Sequence, residues 1–261
     1  MLIDGLPATE EDLRYLAVVN YGAYTSFRVE AGGARGLDLH LGRLDANAIE
    51  LFGETVDRDW LIDLMRMGLD DRREGWMRIS LFSAEIAART PSPRVSPRTM
   101  IVVSEPPPPL AESVRVQVRT YARDDAHVKH TATFPLIRAR RLARDAGFDD
   151  ALFADAEGLI SEGSLWNVGF LRGDEVIWPR APMLRGVAQA LIARRLDQVG
   201  LTQRTAEVHV DDLSGFDSAF LCNSATPACP ITAIGDLAFP VDAERIERLR
   251  AAWAANPIQS I

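Results

Sequence analysis

The sequence predicts an α+β chain in two domains, on three observations. Short stretches alternate apolar and polar residues with the period of two that belongs to strands, and turn residues join neighbours into hairpins. Longer stretches place apolar residues three and four apart, as half-buried helices do, and the two kinds come in groups rather than in strict β-α-β-α alternation. Four consecutive prolines, Pro106 to Pro109, then cut the chain, because proline donates to no ladder and stiffens the backbone. The expected organisation is a smaller N-terminal α+β domain over 1–104, a linker over 105–112 and a larger C-terminal domain over 113–261.

In the first part, Glu10 to Val19 has helical patterning and Tyr21 to Glu30 alternates as a strand. Gly32-Gly33 makes a tight turn, and residues 34–37 return as its partner. Asp38 stands where a helix cap belongs, ahead of an apolar stripe of Leu37, Leu41, Leu44, Ala48 and Leu51. That stripe puts His40, Arg43 and Asn47 together on a neighbouring face. A helix over 57–69, a strand over 76–82, a Pro- and Ser-rich loop over 89–98 and a strand over 99–103 complete the part.

Beyond the prolines, residues 113–120 alternate as a strand, and the stretch around residue 129 reads as a loop. A helix over 135–146 stops at Gly147, as a C-terminal glycine dictates. Strands follow at 150–154, 159–162, 168–172 and 175–178, joined by turns at 155–158 and 172–174. Leu184-Arg185-Gly186 opens a helix expected to run to about Val199. A strand over 217–222, a polar loop over 223–228, a strand from Ile231 and a helix over 242–255 close the chain.

Composition narrows the function classes. The 261 residues are 47% hydrophobic and 25% charged, with a net charge of −8, which argues against nucleic acid as the main partner. No basic segment followed by an apolar run opens the chain, and no uncharged apolar stretch approaches the roughly 20 residues of a membrane span. A cytoplasmic protein without membrane or metal is expected, with Cys222 and Cys229 as buried thiols.

The chemistry gathers around Lys129. It is the one lysine among 29 basic residues, so the other 28 are arginines. A guanidinium stays protonated, whereas an ε-amine can shed its proton and form a Schiff base. Glu162, at a strand end, has the carboxylate that would keep a pyridine nitrogen protonated. Arg185-Gly186-Val187-Ala188 at a helix start offers free backbone N–H groups to a phosphate, and Ser224 offers a hydroxyl. Read singly, Arg43 is a solvated helix arginine, Glu162 a strand-end acid and Gly186 a turn.

Their order is more specific. HLGRL at 40–44, Lys129 in VKHT, AEGLISEGSLWNVGF at 156–170, LRGVAQALI at 184–192 and CNSATPACPI at 222–231 together resemble the class IV aminotransferase family, over roughly residues 20–235. The resemblance implies the two-domain fold-type IV architecture, like that of D-amino-acid aminotransferase, with pyridoxal 5′-phosphate in the larger domain. It implies Lys129 as the Schiff-base lysine and catalytic residue, Arg43 and Ser224 as phosphate ligands, and Val187 and Ala188 as backbone phosphate donors. Glu162 would face the pyridine nitrogen, and Tyr24, Thr25, Phe27 and Asn223 would line the substrate side. Phe134 stands where many relatives have a tyrosine, Ala188 where a threonine is usual, and Leu165 and Trp166 where small or polar residues are usual. Trp166 would narrow the cofactor surroundings or pack in the core.

The activity implied is ping-pong transfer of an amino group from an amino acid or amine to a keto acid, in a homodimer. Tyr24-Thr25-Ser26-Phe27 is similar to (R)-selective amine transaminases, while Thr25 and Cys222-Asn223-Ser224 are also similar to aminodeoxychorismate lyase, which releases pyruvate. A cofactor-free binding protein keeping the fold is the reading from another class.

Overall fold

The computed structural model describes residues 1–87, 89, 91–92, 94–108 and 112–261. Parts of the expected loop over 89–98 and of the expected linker over 105–112 therefore lie outside the described residues. Two compact units emerge. The first comprises Met1–Pro107, Val128–Ala132 and Pro257–Ile261; the second comprises Pro108–His127 and Thr133–Asn256. The sequence expectation has the chain change domain once, at the prolines. Here two later segments, one of them carrying Lys129, return to the first unit.

The first unit contains β1 (Leu2–Ile3), β2 (Leu6–Pro7), α1 (Glu10–Val18), β3 (Ala23–Val29), β4 (Gly33–Arg35), α2 (Leu37–Phe52), α3 (Arg58–Leu69), β5 (Gly75–Phe82) and β6 (Arg98–Ser104). Five strands form an antiparallel sheet in the order β2-β1-β6-β5-β3. The C-terminal strand Ile258–Ser260 pairs with β4. Thr9 and Asp12 start α1 with a reciprocal capping box. Asp38 does not cap α2 as expected. The N-cap is Gly36, at φ 68°, and Asp38 falls in the first turn. The chain leaving β4 has to reverse through a left-handed residue, and glycine takes that conformation without strain. Leu37, Leu41, Leu44 and Ala48 of the stripe are buried, and at its end Leu51 packs partly buried against the same core, joined by the fully buried Phe52. They pack with Phe27, Met77, Ile79 and Ile101 of the sheet, each large side chain contributing about 1.5–3 kcal/mol.

The second unit contains β7 (Val114–Thr120), α4 (Phe134–Asp145), β8 (Asp150–Ala154), β9 (Ile160–Gly163), β10 (Asn167–Arg172), β11 (Glu175–Pro179), α5 (Val187–Ala193), β12 (Thr202–Ala206), β13 (Ser218–Cys222), β14 (Cys229–Ile234), β15 (Leu237–Ala238) and α6 (Ala243–Ala254). Its sheet runs β12-β11-β10-β13-β14-β7-β8-β9, with β15 on β14. The pairs β11/β12, β7/β14 and β7/β8 are parallel and the others antiparallel. The helix expected to reach Val199 stops at Ala193. A short 3₁₀ turn follows, and Gly200 at φ 69° sends the chain into β12. That strand escapes sequence reading because it lies at the sheet edge with four of its five residues exposed, so no face of it is apolar. Cys222 and Cys229 are buried thiols, and burial pushes the Cys229 thiol up to about 11. Among the described residues, no helix is long and apolar enough to cross a membrane.

Candidate active site

In the first unit, Lys129 is held by its backbone. Ala23 and His130 form an antiparallel bridge, Tyr24 N donates to Lys129 O at 2.9 Å, and Thr131 N donates to Gly22 O at 2.8 Å. Lys129 N donates to Asn47 Oδ1 of α2 at 3.2 Å. Both the N–H and the C=O of the lysine are thus bound. Gly22 sits close against β5, where a Cβ would lie 2.4 Å from Leu81 O. Lys129 Nζ lies 4.8 Å from the centre of the Tyr24 ring, and Arg78 Cζ lies 3.8 Å from the same ring. Both are within cation–π range. Arg78 was not singled out in the sequence. It sits on β5 across from Ser26, and no carboxylate pairs with it among the described residues. Burial pushes its pKa down.

His40, Arg43 and Asn47 share a face of α2, as their spacing predicts. Asn47 anchors Lys129, while His40 Nδ1 lies 2.6 Å from Thr25 Oγ1 and its ring 4.6 Å from Phe27. Burial, with Arg43 and then Lys129 adding positive charge, holds His40 well below the usual imidazole range, so the ring is neutral. Two expectations change here. Thr25 is fully buried with its hydroxyl bound to His40, and Phe27 is 2% exposed in the core. Strand alternation turns both toward α2, so they back the wall instead of lining the substrate side, and only Tyr24 takes the other face. Arg43 is half-buried.

In the second unit, Glu162 is buried on β9 and its Oε1 lies 3.2 Å from Arg123 Nη1. Their side chains are 6% and 7% exposed, which makes this a desolvated ion pair. Arg123 was missed in the sequence because nothing local links it to a residue 39 positions away. Gly186 precedes α5, whose start carries no side-chain cap, and Asn167 Nδ2 donates to Leu184 O at 2.8 Å. A Cβ on Gly186 would fall 1.9 Å from Asn167 Oδ1, so the residue has to be glycine. Val187 and Ala188 open the helix with buried side chains. Ser224 is half-buried, and its hydroxyl has no hydrogen-bond partner among the described residues.

Asn223, expected on the substrate side, instead closes its own loop. Its Oδ1 accepts from Ala225 N at 2.9 Å and Thr226 N at 2.8 Å, and its Nδ2 donates to Leu165 O at 3.3 Å. Trp166 is a core residue, with its indole over Gly163 where a Cβ would be only 2.1 Å away. Phe134 is 72% exposed at the start of α4.

This donor set fits pyridoxal 5′-phosphate by its chemistry. The first unit supplies one amine and a half-buried guanidinium. The second supplies a buried carboxylate, a hydroxyl without a partner among the described residues and an uncapped helix start. An aldehyde, a ring nitrogen and a phosphate call for these groups.

Comparison with known proteins agrees. The class IV amino-transferase family matches residues 22–234. The aminodeoxychorismate lyase of Bacillus subtilis is 24% identical over 230 residues, covering 83% of this chain and 78% of that protein. A probable branched-chain-amino-acid aminotransferase of Rickettsia bellii is 28% identical over 99 residues, which span 38% of this chain and 34% of that one. Among solved structures, the 4-amino-4-deoxychorismate lyase of Pseudomonas aeruginosa superposes with a TM-score of 0.82 at 24% identity, covering 96% of both chains. The branched-chain amino acid aminotransferase of Escherichia coli gives 0.81 at 16% identity, covering 92% of this chain and 86% of that one. These structures share the fold. With its family match covering most of its length and its two units built as described, the chain belongs to the class IV amino-transferase family, whose members are pyridoxal phosphate enzymes of fold type IV.

Proposed function

We propose that the chain is a transaminase that works with pyridoxal 5′-phosphate as a homodimer, moving an amino group between an amino acid or amine and a keto acid. The observation that carries this reading is the sole lysine of the sequence, fixed at both peptide groups by Tyr24 and Asn47. When bound, the cofactor supplies an aldehyde that bonds amines and a ring that withdraws electrons from the neighbouring carbon.

The chain's own residues do the rest. Arg43, the Ser224 hydroxyl and the N–H groups of Val187 and Ala188 bind phosphate. Lys129 would hold the aldehyde through Nζ, and the same amine, when neutral, would take the proton from the substrate's α-carbon. Glu162, steadied by Arg123, holds a proton on the ring nitrogen. Arg78, on the ring of Tyr24 and paired with no carboxylate among the described residues, is suited to a substrate carboxylate.

A half-reaction without acceptor tests this. Loss of the cofactor's visible band with one class of donor, with a stoichiometric amount of that donor's keto product formed, supports transamination. Pyruvate release from aminodeoxychorismate with the band restored supports a lyase instead. The second reading draws on the 222–231 loop, where Asn223 itself makes the closing bonds.

A further inference from the structure

Behind Glu162 lies a polar cluster that this chemistry does not use. Asp150, the first residue of β8, is 5% exposed. Its Oδ1 accepts from Ser164 Oγ at 2.6 Å and from Ala151 N at 2.7 Å, and its Oδ2 lies 3.3 Å from Arg140 Nε on α4. Ser164 is buried too, and its own N–H donates to Ala151 O at 3.1 Å. The turn is closed by Gly163 N donating to Trp166 O at 2.8 Å, and Gly163 pairs with Leu152 of β8. A buried carboxylate is costly unless fully paired, and an apolar filler would pack the same space at less cost. What the carboxylate adds is direction: one bond holds Ser164, one holds the N–H of Ala151 and an ion pair reaches Arg140 of α4.

We propose that Asp150 is a positioning residue: through Ser164 it locks the turn that follows Glu162, and through Arg140 it ties that turn to α4, so that Glu162 keeps one direction toward the cofactor's ring nitrogen. The inference rests on the reading of Glu162 given above. Hydrogen bonds from both the backbone and the side chain of Ser164 leave the turn little room to shift, and a shift of about 1 Å at a reacting centre costs up to about 10²-fold in rate.

The test uses the full chain loaded with pyridoxal 5′-phosphate, as wild type, Ser164→Ala, Asp150→Asn, Glu162→Gln and the two doubles with Glu162→Gln. Thermal melting followed by circular dichroism reports folding. A pH titration of the cofactor's visible band gives a midpoint that senses the charge facing the ring, and the half-reaction gives a rate. Ser164→Ala and Asp150→Asn are expected to stay folded and coloured, to move the midpoint by at least about 0.5 pH unit and to slow the half-reaction about tenfold or more. On the Glu162→Gln background neither is expected to move the midpoint further. An unchanged midpoint in both single variants, or an equal further shift on that background, would overturn the proposal while leaving the cofactor site standing. Should Ser164→Ala not fold, Asp150→Asn decides through the Arg140 tie: its Oδ1 still accepts the Ser164 and Ala151 bonds, so it should fold, and an unchanged midpoint overturns the proposal. A wild type that takes up no cofactor, or whose midpoint ignores Glu162→Gln, overturns the Glu162 reading and this proposal together.

Discussion

At the scale of single residues, the side chains around Tyr24 make separable predictions. Lys129→Ala is expected to abolish the covalent cofactor band and to lower turnover by at least about 10²–10⁴-fold, and a retained band at full turnover would remove Lys129 from its role. Arg78→Met is expected to raise KM for amino acid donors about tenfold or more, with a smaller effect on amines that lack a carboxylate. Steady-state kinetics with matched donors measures it, and equal effects on both donor classes would leave Arg78 a purely structural cation. His40 carries a pH signature. Its folded pKa is depressed by burial, whereas unfolded imidazole titrates near about 6.5. Below that value the unfolded chain binds a proton that the native chain refuses, so stability falls by up to about 1.4 kcal/mol per pH unit. Urea unfolding at pH 7.5 and 5.5 should therefore show a smaller acid loss for His40→Gln than for the wild type. Sequence reading singles out residues whose chemistry is written in residue type, as for a lone lysine. It failed for Arg123 and Arg78, whose partners are set by sheet and ion-pair geometry.

At the scale of elements, glycines distinguish packing from propensity. Gly186→Ala drives a Cβ into Asn167 Oδ1, so the start of α5 has to shift. Its cost is expected to be about 1–3 kcal/mol, with the cofactor dissociation constant rising at least tenfold. Gly42, in the exposed middle of α2, meets nothing within 4 Å of an added Cβ. Gly42→Ala is expected to stabilise by about 0.5–1 kcal/mol through helix propensity, and denaturant midpoints of the two variants should move in opposite directions. Most elements were legible because their apolar period was clear. The exceptions share a cause: β12 has no buried face, and β1, β2 and the strand at 258–260 are two or three residues long. Such strands are made by their neighbours.

At the scale of the molecule, the candidate residues divide between the units, with Lys129, Arg43 and Tyr24 on the first and Glu162, Ser224 and the start of α5 on the second. The half-reaction panel belongs to this scale, since it reads the loaded enzyme as a whole. The sequence by itself determined the α+β class, the order of the long elements, the family and the identity of the lysine, because each is written in local period, residue type or ordered motif. Only the tertiary structure decided that the lysine's segment returns to the first unit and that Thr25 and Phe27 turn inward. It also decided that Arg123 meets Glu162 and that Asp150 clasps Ser164. Those outcomes depend on which strands pair and in what register, and a period of two or 3.6 along the chain holds no record of a partner dozens of residues away.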